Sequence, residues 1–437
     1  MNSTEIKKIL PLAHGLRGEI EIPGDKSISH RAIILSSLGT TPVQVHGFLR
    51  GQDCLSTIGC MRQLGANIED GGGTELQVTG HGLRGLKEPS SIMDAGNSGT
   101  TLRLLLGVLA PQHFHAAFTG DKSLCRRPMG RVIRPLSMMG AQIVGRARNQ
   151  LLPITVIPSP EPLDGIDYEM PVASAQVKSA ILLAGLYARG TTTVHEPFPS
   201  RDHTERMLEA FGAPLEKKGT TITIHSLHSS EELHAPDRID VPGDISSAAY
   251  WMVLASILPD SDVVLKQVGI NPTRTGILDV LRDMGANIEL QNEHVSSGEP
   301  IADIHVASAK LHGTKFGAEM IPRLIDEIPI LAVAAAFAEG DTEITGIQEL
   351  RVKETDRLQA IVDEYSKLAP GAFEAGEETL TVHGDREFHY EECASHMDHR
   401  MAMSLAVFGA AAKGVGIRNP DCVDISYPTF YGILEQQ

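Results

Sequence analysis

Four short stretches of the chain are near copies of one another: MRQLGANIE at 61–69, LSMMGAQIV at 136–144, LEAFGAPLE at 208–216 and LRDMGANIE at 281–289. Their glycines, Gly65, Gly140, Gly212 and Gly285, stand 75, 72 and 73 residues apart. Such a period constrains the fold strongly, because each copy must then be one repeated supersecondary unit. Every copy runs from an apolar-periodic segment through glycine into alternating residues. That reads as a helix closed by a glycine C-cap and followed by a strand.

A second pattern interleaves with the first. It opens on small and polar residues, continues as an Ala/Leu-rich helix and ends in a short strand. Six copies begin at 24, 96, 174, 243, 326 and 398. The chain is therefore of α/β class, six units with two helices and several strands each. The last unit ends in PTFYGILEQQ with no strand after it, while GLRGEIEIPG near the N-terminus has no helix before it. That N-terminal strand is expected to complete the sixth unit. Six units divide most naturally as three and three, with the break near Val241-Pro242-Gly243-Asp244. The expected domains are residues 24–242, and residues 1–23 plus 243–437. The two crossings between them would form a hinge. At 437 residues the chain is in any case too long for one ordinary core.

Charge narrows the partners. Lys plus Arg is 38 against 55 Asp plus Glu, a net charge of −17. Nucleic acid and anionic membrane surfaces favour the opposite sign, so neither is expected as a partner. A small anion remains possible if basic groups are gathered locally. The five cysteines form no CxxC pair, and the N-terminal residues have no signal-peptide apolar core. Apolar runs such as IPILAVAAAFA are too short to span a bilayer. The expectation is a cytoplasmic protein with reduced thiols.

Equivalent units place equivalent helix starts, and these starts hold the polar residues. They are Lys26, Ser27 and Arg31; Asn97, Ser98, Gly99 and Thr100; Ser174, Ala175 and Gln176; Asp244 and Ser246; Asp326 and Glu327; Asp398, His399 and Arg400. A helix N-terminus offers unpaired N–H groups and a partial positive charge, so it binds phosphate and carboxylate. Lys26 and Arg400 sit against the dipole, which is unfavourable unless an anion is near. GDKS is not a phosphate loop, since Asp25 stands where that motif needs glycine. KSLCRRPMGR at 122–131 gathers four basic residues in ten. RVKETDR at 351–357 places Lys353 and Arg357 at helical i, i+4 spacing. Glu354 and Asp326 among these cations suit general acid and base work. The plain alternatives are an ion-paired surface helix for RVKETDR, simple N-caps for Asp244 and Asp326, a passive Cys125 and a buried structural His399.

Taken in order, PGDKSISHRA, DAGNSGTTLRLL, RRPMGR, SAQVKSAILLAG, RDHTERML, IDEIPILA, RVKETDR and DHRMAMS resemble the family of 5-enolpyruvylshikimate-3-phosphate (EPSP) synthases over nearly the whole chain. The resemblance implies the two-domain inside-out α/β barrel of enolpyruvyl transferases, with six βαβαββ repeats, three per domain. It implies transfer of the enolpyruvyl group of phosphoenolpyruvate to the 5-hydroxyl of shikimate 3-phosphate, with loss of phosphate and with no metal or organic cofactor. The route is addition then elimination through a tetrahedral intermediate. Carried over by position, Glu354 is the proton donor, Asp326 the base, and Lys26 assists; Lys353 is a second candidate for the hydroxyl proton. Lys26, Asn97, Gly99, Arg127, Gln176, Arg357 and Arg400 would bind phosphoenolpyruvate. Lys26, Ser27, Arg31, Ser174, Ala175, Gln176, Arg201, Asp326 and Lys353 would bind shikimate 3-phosphate. A monomer that closes around its ligands is expected.

The chain departs from the family pattern in two places. Ile425 stands where many members have a lysine. Ser174-Ala175-Gln176 replaces the SSQ of one branch and resembles the second class, in which inhibition by glyphosate is weaker. Two rivals stand beside this reading. The enolpyruvyl transferases acting on UDP-N-acetylglucosamine carry a cysteine where this chain has Lys122, with Cys125 out of register. A non-catalytic anion-binding protein of the same fold would have no use for Glu354 and Asp326.

Overall fold

The computed structural model describes residues 6–227 and 232–437. Gly65, Gly140, Gly212 and Gly285 all adopt positive φ, between 75° and 103°. They follow the helices Gln52–Gln63, Gly130–Met138, His203–Ala210 and Gly276–Asp283. In each copy the alanine after the glycine donates to the carbonyl five residues back, at 2.9–3.0 Å: Ala66 to Met61, Ala141 to Leu136, Ala213 to Leu208 and Ala286 to Leu281. A left-handed residue at this point lets the chain satisfy a carbonyl that the helix end would otherwise leave bare, and only glycine adopts it without strain.

Among the described residues there are six sheets, five of four strands and one of three. Each contains one parallel pair, and the other pairings whose register is resolved are antiparallel. One expectation is corrected. Arg17–Glu21 does not complete the sixth sheet; it lies parallel to Asp262–Gly269, with Arg17 opposite Asp262. The sixth sheet is completed by Ile6–Ile9, antiparallel to Val415–Arg418, with Ile6 opposite Arg418. The alternation in GEIEI sends Ile20 and Ile22 into a core, but alternation alone does not say which sheet edge receives the strand. IKKI lacks alternation and buries only Ile9, so its pairing left no pattern to read.

Two compact units divide the described chain. The first holds Gly24–Val241 and Ser296–Gly298; the second holds the remainder. In the first unit lie helices α1 (Lys26–Leu38), α2 (Gly99–Leu109) and α3 (Ala175–Gly185). In the second lie α4 (Ile245–Ile257), α5 (Ile328–Ala336) and α6 (His399–Ala411). Every residue of α5 is buried, as are all but the last of α4 and of α6. Helices apolar on every face belong inside a core, and here the sheets supply the outer layer of each unit. α2 and α3 cross backbone to backbone at Gly107. A Cβ there would lie 2.3 Å from the Ala180 carbonyl oxygen and 2.7 Å from its Cα.

Candidate active site

In the first unit the site residues stand at the starts of α1, α2 and α3. Asp25 caps α1, accepting from the Ile28 amide at 2.8 Å. Ser98 caps α2, accepting from the Thr101 amide at 3.1 Å. No side chain caps α3 at Ser174, so the amides of its first turn keep the capacity to bind an anion. Lys26 opens α1 against the helix dipole, and its Nζ lies 2.9 Å from Oδ2 of buried Asp53. Asp53 stands on the Gln52–Gln63 helix, which is tied to α1 and α2 by a buried polar chain. His30 Nδ1 bonds Thr57 Oγ1 at 2.7 Å, Thr57 bonds Thr101 at 2.6 Å, and Thr101 donates to Ser98 at 2.7 Å. Burial, with Lys26 and Arg31 close by, holds the His30 imidazole well below its ordinary range. A neutral ring there adds no further positive charge under the site.

α2 and α3 are joined by their polar first turns. Gln176 donates from Nε2 to Thr100 Oγ1 at 2.8 Å, and its Oε1 accepts a short bond from Arg103 Nη1. Arg127 donates to Asn97 Oδ1 at 2.7 Å, and Asn97 donates to Asp121 Oδ2 at 2.6 Å. Gly99 lies under both guanidinium groups: a Cβ there would be 3.1 Å from Arg103 Nη1 and 3.5 Å from Arg127 Nη1. Arg31 is buried and donates to the Ser27 carbonyl, Ser179 Oγ and Thr204 Oγ1, at 2.9, 2.9 and 2.6 Å. It is thereby held between α1, α3 and the His203–Ala210 helix, just before which Arg201 stands half-buried.

The second unit carries a tighter knot of acids and bases. Asp326 Oδ1 lies 3.5 Å from Lys353 Nζ and 3.3 Å from Arg357 Nη1, and its Oδ2 lies 3.6 Å from Arg400 Nη2. Arg357 also reaches Glu354 Oε2 at 2.5 Å and Asp398 Oδ2 at 2.7 Å. Asp398 caps α6 through the Arg400 amide at 2.9 Å. Burial opposes the Arg357 charge, but Asp398, Glu354 and Asp326 outweigh it and hold the guanidinium above its ordinary range. Arg400 is likewise raised: burial opposes its charge, while Asp326, Tyr250, Glu327 and Asp244 more than offset that. Both cations stay charged, and each already faces carboxylates.

Two local expectations need correction. Lys353 and Arg357 do not share a helix face. Asp356 caps a helix that begins at Arg357, accepting from the Gln359 amide at 3.0 Å, and Lys353 lies in extended backbone before it. They converge on Asp326 through the loop. Asp326 is no N-cap either: it sits in a 3-10 turn over Ile325–Glu327, and no side chain caps α5. Asp244 does cap α4, accepting from the Ser246 amide at 2.9 Å. His399 is buried, and Ile425 is buried in the 3-10 segment Pro420–Ile425. Sequence reasoning missed Asp53, Arg103, Arg274 and Lys178. Lys178 is fully buried on α3, 2.8 Å from Glu196 and 2.6 Å from Glu205. Arg103 had a legible signal, since it stands one helical turn beyond Gly99. The others depend on partners far away in the chain.

Comparison with known proteins bears on this arrangement. A family model described as EPSP synthase (3-phosphoshikimate 1-carboxyvinyltransferase) matches residues 13–434. The chain belongs to the EPSP synthase family. Its similarity to the 3-phosphoshikimate 1-carboxyvinyltransferase of Thermosynechococcus vestitus is 52% identity over 425 residues, covering 97% of this chain and 96% of that one. A solved EPSP synthase from Acinetobacter baumannii superposes with a TM-score of 0.86 at 43% identity, covering 98% of this chain and 97% of the other. The enolpyruvyl transferase NikO from Streptomyces tendae shares the fold, with a TM-score of 0.80 at 18% identity over 99% of this chain and 97% of its own. The EPSP synthase assignment favours the main reading over the rival family acting on UDP-N-acetylglucosamine. No helix among the described residues is long and apolar enough to cross a membrane.

Proposed function

We propose that this chain transfers the enolpyruvyl group of phosphoenolpyruvate to the 5-hydroxyl of shikimate 3-phosphate and releases phosphate, a step toward aromatic amino acids. The observation that carries the reading is the meeting of Lys353, Arg357 and Arg400 on Asp326, with Glu354 held on Arg357. Acids placed among anion-binding cations suit proton transfer to and from an anionic substrate.

Glu354 delivers a proton to the methylene carbon of phosphoenolpyruvate. The 5-hydroxyl oxygen bonds the adjacent carbon as its own proton passes to Asp326 or, beside it, Lys353. A tetrahedral intermediate results. Glu354, left as a carboxylate, then takes a proton back from the new methyl group, and the double bond is restored as phosphate departs. Lys26 steadies the developing charge. Lys26, Asn97, Gly99, Arg127, Gln176, Arg357 and Arg400 hold phosphoenolpyruvate. Lys26, Ser27, Arg31, Ser174, Ala175, Gln176, Arg201, Asp326 and Lys353 hold shikimate 3-phosphate. No metal or organic cofactor takes part, and the working form is a cytoplasmic monomer. Its domains are 24–242 and 1–23 plus 243–437.

The deciding assay is phosphate release from phosphoenolpyruvate with and without shikimate 3-phosphate, with UDP-N-acetylglucosamine as the competing acceptor. Release that depends on shikimate 3-phosphate supports the reading. Silence with both acceptors, from folded protein, overturns it.

A further inference from the structure

Behind Asp326 and Arg400 runs a buried polar chain that the proposed mechanism does not use. Glu327 is almost fully buried, and its Oε1 accepts a short bond from Ser246 Oγ on α4. Ser246 has one proton to give, so its oxygen is open to a donor. That donor is Arg274, which is buried just before the Gly276–Asp283 helix. Its Nη2 lies 2.7 Å from Ser246 Oγ and 3.1 Å from Asp244 Oδ1. The chain thus runs Arg274, Ser246, Glu327, each donating to the next.

At its far end the chain meets Arg400. Arg400 Nη1 lies 3.8 Å from Glu327 Oε1 and donates to the Asp326 carbonyl at 3.3 Å. Arg400 Nη2 faces Asp326 Oδ2 at 3.6 Å. The guanidinium is therefore held on two edges by carboxylates of unequal freedom. Glu327 is buried and anchored by a hydroxyl, whereas Asp326 is the partly exposed member. A planar fork held by one edge presents the other in a fixed direction. Glu327 Oε2 is buried without a hydrogen-bond partner among the described residues, so this carboxylate leans on Ser246 and Arg400 for its compensation.

We infer that Glu327, locked by Ser246 and Arg274, is a positioning residue that fixes the Nη1 edge of Arg400 and leaves the Nη2 edge for the anion of phosphoenolpyruvate. This rests on the proposed reaction. Neither Glu327 nor Ser246 touches the reacting atoms; both act through Arg400. When substrate draws Asp326 and Arg400 apart, Glu327 keeps the guanidinium in place.

The test uses the full chain and separates the two claims. Wild-type phosphate release that depends on shikimate 3-phosphate tests the reaction itself. The inference is tested by Ser246→Ala, which deletes one hydroxyl, and by Glu327→Gln, which keeps shape and removes charge. Both should raise KM for phosphoenolpyruvate by roughly tenfold while KM for shikimate 3-phosphate moves less than about twofold. In an Arg400→Lys background the Ser246→Ala effect on kcat/KM for phosphoenolpyruvate should vanish, because the group it orients is gone. If Glu327→Gln fails to fold, Ser246→Ala and its double-mutant cycle still decide. Equal changes in both KM values, or an undiminished Ser246→Ala effect in the Arg400→Lys background, would mean that the chain merely supports the fold and would overturn the inference.

Discussion

Glu354 Oε2 and Arg357 Nη2 lie 2.5 Å apart, so the residue proposed to give a proton to substrate faces a guanidinium instead. For Glu354 to act as an acid, Arg357 must turn to another anion, and the phosphate or carboxylate of the substrate is the candidate. Binding and acid activation would then be one event.

Replacing Glu354 by glutamine separates these roles. Glu354→Gln keeps the side chain's size and its capacity to bond Arg357, but gives no acid. Turnover should fall by roughly 10²–10⁴-fold. Calorimetric affinity for shikimate 3-phosphate should stay within about twofold. Retained turnover would remove Glu354 from the proton-donor role.

Gly99 tests the phosphoenolpyruvate pocket. The methyl group of Gly99→Ala would press on the ends of Arg103 and Arg127, which are flexible side chains and not backbone. The fold should persist, with thermal midpoint unchanged, while KM for phosphoenolpyruvate rises about tenfold. The unaltered chain, with Ser174-Ala175-Gln176, is expected to resist glyphosate; a sub-micromolar inhibition constant against phosphoenolpyruvate would contradict that.

Glu364 tests the base of the Arg357 helix. Its carboxylate accepts from His396 Nε2 at 2.9 Å, from Lys367 Nζ at 2.6 Å and from the Ala394 amide at 2.8 Å. Burial pushes this carboxyl up, but those three bonds outweigh burial and bring it down to about 2 from 4.5. The bond that His396 donates to Glu364 in turn raises the imidazole, against the opposing effect of burial. A depressed carboxyl contributes stability above pH 4.5 and loses it as pH falls toward 2; a raised imidazole contributes fully below pH 6.5 and loses it as pH climbs through its folded value. Glu364→Gln should therefore cost most between pH 4.5 and 6.5, on the order of 3 kcal/mol at the upper end. Urea midpoints of the two proteins should converge near pH 2–3. A gap that is the same at pH 6 and pH 3 would rule out the linkage.

Gly107 tests the helix crossing in the first unit. A methyl group there meets the Ala180 backbone, which has no rotamer to yield. Gly107→Ala should cost about 1–3 kcal/mol, read as a lower urea midpoint with an unchanged slope. An unchanged midpoint would show that α2 and α3 can separate at no cost.

The repeat was legible because it is written locally. A left-handed glycine between Met61 and Ala66, and again three times over, marks a helix end without knowledge of any partner. The polar helix starts were legible for the same reason. What failed was anything set by pairing at a distance. Alternation placed Ile20 on a buried face but did not choose between the sheets of Asp262–Gly269 and Val415–Arg418. Helical spacing in RVKETDR was overruled by one capping aspartate, Asp356. Arg274 carries no motif, and Lys178 lies in SAQVKSAILLAG without showing what it faces; their meaning comes from Ser246, Glu196 and Glu205, which lie 28, 18 and 27 residues away in the chain.

The pairing of Ile6–Ile9 with Val415–Arg418 also sets an order of assembly. The ribosome makes the first of these strands long before the second. Arg17–Glu21 must likewise wait for Asp262–Gly269. Throughout most of translation the leading residues are therefore without the neighbours they will finally have. Meanwhile Gly24–Val241, made in one run, has nearly all of its own contacts in hand. For a chain organised this way, a chaperone that shields Ile6–Ile9 and Arg17–Glu21 until their partner strands are made should matter.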